Sequence, residues 1–255
     1  MSHYVDLNSD LGESFGNYTL GMDSEVLNHV TSANIACGWH AGDPLIMDAT
    51  VRICKEKGVA VGAHPGYPDL MGFGRRAMAV NPAEAKAYMM YQLGALQAFC
   101  DSYDITLQHM KLHGAFYNTA CVTPVLADAI LDGLQAVNPN ISAMVLSGSY
   151  IAQEAQRRGI PVIQEVFADR GYTEKGTLVP RTEEGAFIKD PQEALDRVLM
   201  MVTKGKVVTN TGKTIDIVAD SVCVHGDNPE AIAFTRYIRE GLTKAGVTVA
   251  NFQHR

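Results

Sequence analysis

The chain has 255 residues, 47% hydrophobic and 19% charged, with 28 acidic against 21 basic side chains and a formal net charge of −7. That balance supports a large buried core and excludes intrinsic disorder. The acidic surplus, with no Lys/Arg cluster, argues against a nucleic-acid partner and against an anionic membrane surface.

Five cysteines without a C-x-x-C pair fit a reduced protein better than a disulfide framework. Asp6, Asp10 and Glu13 stand where a signal peptide needs an apolar run, and no apolar stretch is long enough to span a bilayer. A cytoplasmic chain is expected.

In chain order, short apolar runs that read as buried strands alternate with helix starts. Tyr4–Leu7 precedes a start near Asp23, Ala33–Ala36 precedes Asp43-Pro44, and Val59–Ala63 precedes Asn81-Pro82. Thr106–Leu112 precedes Thr123-Pro124, Ala143–Leu146 precedes Ser149, Val162–Val166 precedes Asp190-Pro191, and Val222–Val224 precedes Asn228-Pro229. In each cap–proline pair the cap oxygen accepts an orphan backbone N–H, and proline at the first helical position gives up a donor that had no partner. Glu84 and Glu193, three residues after their caps, are placed to complete capping boxes. Gly58, Gly205 and Gly246 supply C-terminal stops. The segment Val207–Val218 reads as an excursion hairpin around Asn210-Thr211-Gly212.

This alternation predicts an α/β fold of parallel strands joined by βαβ crossovers. About seven such units in one chain of this size suggest a closed or nearly closed (β/α) barrel, with an open doubly wound sheet as the competitor. No linker, low-complexity stretch or internal repeat interrupts the pattern, so residues 1–255 are expected to form one domain.

In such barrels the loops after the strands build the active site. The chemically distinctive residues fall there repeatedly. Asn8, Asp10 and Glu13 follow strand one; Asn34, Cys37, His40 and Asp43 follow strand two; His64, Asp69, Arg75 and Arg76 follow strand three. His109, Lys111 and His113 occupy alternate positions of strand four and share one face. Glu165, Asp169 and Arg170 follow strand six, and His225 and Asp227 follow strand seven. Five of the eight histidines lie at or beyond strand ends. One such histidine would usually be structural; five beside carboxylates and glycines point to a shared polar cleft.

Histidines and carboxylates can bind a metal, exchange protons, or do both. Asp10, His40, His64 and His113 are candidates for a divalent ion, although they come from four strands and no H-E-x-x-H or other compact spacing supports the idea. Lys111 and Arg170 suit an anionic substrate group or a developing oxyanion, with a salt bridge to Asp169 the plainer role for Arg170. Cys37 reads as a small buried residue rather than a nucleophile. Gly212-Lys213-Thr214 mimics the end of a phosphate loop, but that pattern needs a glycine where Val207 stands.

Six runs resemble the LamB/YcsF family. They are Asp6 to Glu13 (DLNSDLGE), Ser32 to Asp43 (SANIACGWHAGD), Gly62 to Asp69 (GAHPGYPD), Lys111 to Asn118 (KLHGAFYN), Glu165 to Arg170 (EVFADR) and Val224 to Asp227 (VHGD). The resemblance covers almost the whole chain, in order. It implies a barrel similar to those of glycoside hydrolases and deacetylases. It also implies the role of the A subunit in an ATP-dependent 5-oxoprolinase, which opens 5-oxo-L-proline (pyroglutamate) to L-glutamate while ATP, with magnesium, becomes ADP and phosphate. Subunits B and C are the implied partners.

For that reaction His64 or Asp10 is the expected base, with His40 and His113 beside it. Lys111 and Arg170 would hold the substrate carboxylate or phosphoryl oxygens, and Asn8, Glu13, Asn34, Asp43, Glu165, Asp169, His225 and Asp227 are expected around the substrate. The rival readings are a stand-alone metal-dependent deacetylase or amidohydrolase acting on a carbohydrate or cyclic amide, which fold likeness alone would permit, and a non-catalytic scaffold. A scaffold has no reason to align so many titratable groups.

Overall fold

The computed structural model describes residues 3–252. The first strand, β1 (Tyr4–Leu11), alternates Asp6, Asn8 and Asp10 with Val5, Leu7 and Leu11. A period of two sends the two sets to opposite faces. The apolar set joins the hydrophobic layer packed against the helices, and the polar set points into the barrel.

A short helix α1 (Asp23–Val26) follows, and then β2 (Ser32–Ala36), α2 (Pro44–Lys57), β3 (Ala60–His64), α3 (Pro82–Ser102) and β4 (Leu107–Met110). The chain continues through α4 (Gly114–Val122), α5 (Pro124–Val137), β5 (Ser142–Leu146), α6 (Tyr150–Arg157) and β6 (Val162–Phe167). After a long loop come α7 (Pro191–Lys204), β7 (Lys206–Val208), β8 (Thr214–Asp216), β9 (Ser221–Cys223), α8 (Pro229–Lys244) and β10 (Thr248–Val249).

Parallel pairing runs β1-β2-β3-β4-β5-β6-β9, and β9 returns to β1 in the register Asp6↔Ser221, Leu7↔Val222, Asn8↔Cys223. That last pairing closes a seven-stranded (β/α) barrel and excludes the open sheet. β10 lies parallel to the start of β1, and β7 and β8 form an antiparallel hairpin of their own, as the Asn210–Gly212 turn predicts.

The caps act largely as expected. Asp43 accepts from Leu45 and Ile46, Asn228 from Ala231, and Asn81 and Glu84 exchange both bonds of a capping box. Two differ. The Asp190 carboxylate accepts from the Glu193 N–H, but the return bond is not formed. Thr123 makes no side-chain cap: it is the single residue between α4 and α5, ending one helix while starting the next, and only its carbonyl bonds to the new helix, accepting from Leu126 and Ala127.

On the outside of the barrel, α3 and α5 approach closely where Gly133 faces α3; a Cβ there would lie 2.9 Å from the Lys86 carbonyl. Among the described residues, no single helix is long and apolar enough to cross a membrane.

Candidate active site

The inward positions of β1, β2, β4, β6 and β9 fill the barrel with hydrogen-bonded side chains in layers. At the lowest level Asp6 accepts from Thr31 at 2.6 Å, from Ser32 at 2.7 Å, and from the Ser221 hydroxyl. One layer up, Asn8 donates to Ser221 at 2.8 Å and accepts from Asn34 at 2.8 Å. Asn34 also donates to Asp10 at 2.8 Å, and its carbonyl oxygen meets His109 Nε2 at 2.7 Å. The His109 ring lies against Gly62, where a Cβ would fall 2.1 Å from Nε2. Asn8, Asn34 and His109 are fully buried beneath the pocket floor.

The floor itself is Lys111. Its Nζ lies 2.7 Å from Glu165 Oε1, 2.9 Å from Asp10 Oδ1, 3.1 Å from Asn8 Oδ1 and 3.2 Å from Cys223 Sγ. Burial opposes the ammonium charge, but Asp10 foremost, with Cys223 and Glu165, more than offsets this and holds the pKa well above the ordinary lysine value. Burial likewise pushes Asp10 upward, yet His64 and Lys111 outweigh it and keep the carboxyl well below its usual range. For Glu165 burial wins over Lys111, so its pKa is raised, and Tyr117 donates to its other oxygen at 2.8 Å.

Beside this cage stands a histidine group. His64 Nδ1 is 2.8 Å from the Lys111 carbonyl, and His64 Nε2 is 2.9 Å from His113 Nδ1 and 3.3 Å from Asp10 Oδ2. His113 Nε2 is 2.8 Å from the Phe73 carbonyl. His40 stacks on His113 with centroids 3.8 Å apart and planes 6° from parallel. Burial, reinforced by the neighbouring imidazoles, pushes His40 well down, and burial followed by His64 takes His113 to about 3. Glu13 reaches over the group, with Oε1 3.6 Å from His40 Nε2 and 3.7 Å from His113 Nδ1. Burial, then Asp10 and Asp227, raise its carboxyl to about 8.

Above the floor opens a pocket of about 460 Å³ lined by Asp10, Glu13, His64, Lys111, His113, Phe167, His225 and Asp227, with Arg75 and Arg181 on its walls. His225 Nδ1 pairs with Asp169 at 3.0 Å; burial opposes its charge, but Asp169 overcomes this and lifts the imidazole to about 9. Arg75 lies over the Phe73 ring and Arg181 over the Phe187 ring, and neither makes an ion pair with a described residue.

The sequence-derived candidates thus divide. Asp10, Glu13, His64, Lys111, His113, Arg170, His225 and Asp227 line one pocket; Asn8, Asn34 and Glu165 support its floor; His40 and Asp169 stand directly behind its lining. Asp43 is elsewhere: its carboxylate caps α2 and accepts from the Gly16 N–H at 2.8 Å. Arg170 reaches the pocket, but its guanidinium donates to the Ala186 carbonyl at 3.0 Å and the Val179 carbonyl at 2.6 Å, which ties down the loop after β6 rather than pairing with Asp169. Cys37 is buried and its thiol is pushed up to about 12 by burial, so it is inert, and Lys213 of the mock phosphate loop, at the hairpin turn, pairs with Glu174 of the loop after β6. Arg181, Tyr117 and Phe167 were not legible as site residues; Arg181 sits in a loop with no periodicity to announce it.

The LamB/YcsF family model matches residues 5–255. The A subunit of 5-oxoprolinase from Fusobacterium nucleatum subsp. nucleatum is 61% identical over 249 residues, covering 98% of this chain and 97% of that protein. The protein of the same name from Pyrococcus horikoshii is 52% identical over 245 residues, covering 96% of each. Among solved structures, the lactam utilization protein of Thermus thermophilus superposes with a TM-score of 0.92 at 45% identity, over 98% of this chain and 100% of that one. With the family pattern running through the barrel from its first strand onward, the chain belongs to the LamB/YcsF family.

Proposed function

We propose that the chain is the A subunit of an ATP-dependent 5-oxoprolinase, a hydrolase that opens 5-oxo-L-proline to L-glutamate with ATP and its magnesium as co-substrate, acting in the cytoplasm as one barrel domain with subunits B and C. The names of the relatives support the reaction class. The observation that carries the site is the charged Lys111 held against the ionised Asp10 at the floor of a small pocket walled by Arg75 and Arg181, which, unlike Arg170 with its bonds to backbone carbonyls, have guanidinium groups open to a ligand.

A five-membered lactam is a weak electrophile, and its hydrolysis needs coupling. Transfer of the γ-phosphoryl group to the lactam oxygen makes the ring carbon attackable. Water adds there while Asp10 takes its proton, the C–N bond breaks, and the nitrogen accepts a proton as it leaves as the amine. A second water then displaces phosphate from the acyl phosphate. Lys111 stabilises the oxygen that becomes negative at the tetrahedral stage. Arg75 and Arg181 bind the substrate carboxylate or the phosphoryl oxygens; paired guanidinium groups match either. The His225–Asp169 pair and Asp227 complete the wall.

The test is glutamate formation from 5-oxoproline and ATP, with this chain alone and then with subunits B and C. Activity only in the full mixture, matched by ADP release, is the expected result. Hydrolysis of N-acetylated sugars by the chain alone, without ATP, would replace this reading with that of a stand-alone deacetylase.

A further inference from the structure

The tautomers of the histidine group leave a gap that protein atoms do not fill. His64 Nδ1 faces the Lys111 carbonyl and His113 Nε2 faces the Phe73 carbonyl. A carbonyl oxygen only accepts, so both nitrogens must carry hydrogen. In the neutral rings His64 Nε2 and His113 Nδ1 are then both lone pairs, yet they point at each other across 2.9 Å. Two more acceptors share the space. Neither nitrogen of the fully buried His40 has a hydrogen bond, and neither has Glu13 Oε1. A proton on His64 Nε2 would serve His113 and Asp10 but would leave His40 and Glu13 without a partner.

We propose that Glu13, His40, His64 and His113 bind one divalent cation of the zinc class. Their ligand atoms all lie within 4.8 Å of one another. A tetrahedral ion with bonds of about 2.0–2.1 Å needs ligand atoms about 3.4 Å apart. Of the six separations, those of 2.9, 3.6 and 3.7 Å bracket that value and the others fall within 4.8 Å, so the set closes on an ion once the His40 ring turns out of its stack on His113. Three imidazoles and one carboxylate select zinc and its transition-metal neighbours over magnesium or calcium, which prefer oxygen. The second shell is in place, since carbonyl oxygens already orient two of the three rings.

Room for the rings comes from two glycines. A Cβ on Gly66 would meet His40 Nδ1 at 2.5 Å, and one on Gly74 would meet both His40 and His113 at 2.8 Å. The four ligands come from the ends of β1, β2, β3 and β4, so the cation fastens half of the barrel mouth together. Four protein ligands close the coordination sphere, which makes the ion an organiser of the rim.

The experiment reads metal rather than lactam turnover, so it stands apart from the function proposed above. Protein stripped with chelator is titrated with Zn²⁺ alone and with Mg²⁺ alone, and retained metal is counted after desalting. The expected result is one zinc per chain, a Tm raised by about 5–10 °C at a hundredfold excess over Kd, and no comparable response to magnesium. His40→Gln and Glu13→Gln should each weaken retention by about tenfold or more. If His40→Gln does not fold by circular dichroism, Glu13→Gln at the pocket edge decides. No retained zinc with an unmoved Tm overturns the proposal, and so does undiminished retention in Glu13→Gln.

Discussion

Replacing Lys111 by Met isolates what the floor of the pocket contributes. The ammonium lies between Asp10 and Glu165 at 2.9 and 2.7 Å and is 2% exposed. Met fills nearly the same volume, so the change removes charge and hydrogen bonds with little loss of packing. Deleting one partner of a buried pair costs about 3–5 kcal/mol, because the other charge is left without compensation. For a chain of this size that corresponds to a Tm lower by about 6–20 °C.

The deficit has a definite pH dependence. Burial already raises the Glu165 pKa and Lys111 pulls it down, so removing Lys111 raises it further. A carboxyl whose folded pKa lies above its unfolded value of about 4.3 is neutral in both states at low pH and costs stability only as pH rises past that value. The gap between wild type and Lys111→Met should therefore be smallest near pH 5 and widen toward pH 8, read by urea unfolding. Lys111→Met/Glu165→Gln should regain much of the stability, since Tyr117 can still donate to the amide oxygen. Glutamate formation by the assembled enzyme should stay down by about 10²–10³ in both variants. A loss under about 1 kcal/mol at both pH values, or a larger gap at pH 5, would refute the reasoning.

Three other outcomes are expected. Arg181→Ala and Arg75→Ala should each raise KM for 5-oxoproline by about 10–100-fold with a smaller change in kcat, the pattern of lost ground-state binding; initial rates over a substrate series read this. His225 has a folded pKa of about 9 against an ordinary 6.5, so its pairing with Asp169 contributes fully below about pH 6.5 and fades as pH rises through 9; the stability difference between wild type and His225→Gln, about 1–2 kcal/mol for this quarter-exposed side chain, should vanish by pH 10. Gly62→Ala places a methyl inside the His109 ring and should cost about 1–3 kcal/mol or more, measured by thermal unfolding.

The barrel was legible because cap–proline pairs and apolar runs repeat in step, and because polar residues recur at strand ends. Closure followed from the count of βα units, but the seam itself did not: β9 is a three-residue strand whose register with β1 follows from geometry rather than from local signal. The helix α4 was hidden because its first cap position is His113, whose ring is turned to the site and makes no capping bond. The candidate site was readable down to the strand and the face, as at His109, Lys111 and His113. What sequence could not give was depth. Asn8 and Asn34 look like pocket residues in a linear reading, but two layers of side chains lie between the barrel bottom and the substrate space, and they occupy the lower positions. Nor could it separate Arg170 from Arg181, one bonded to backbone carbonyls and the other open to the pocket; both are arginines in the same loop.

The axis of this barrel is held by directional bonds instead of interdigitated hydrocarbon, and this constrains how the sheet can close. A barrel of seven strands could in principle adopt neighbouring values of shear, and three residue pairs between β9 and β1 are a weak lock against slippage. Ser221 changes that. Its hydroxyl donates to Asp6 and accepts from Asn8, residues that face it across the seam. A slip of one position would swing Ser221 out to the helices, take from Asp6 a donor that Thr31 and Ser32 do not replace, and leave the Asn8 amide N–H without its acceptor in a dry interior, at a cost of about 1–3 kcal/mol. The polar column beneath the pocket thus acts as a key cut for one shear, and it holds the strand ends that present Asp10, Lys111 and His225 at a fixed height around the mouth.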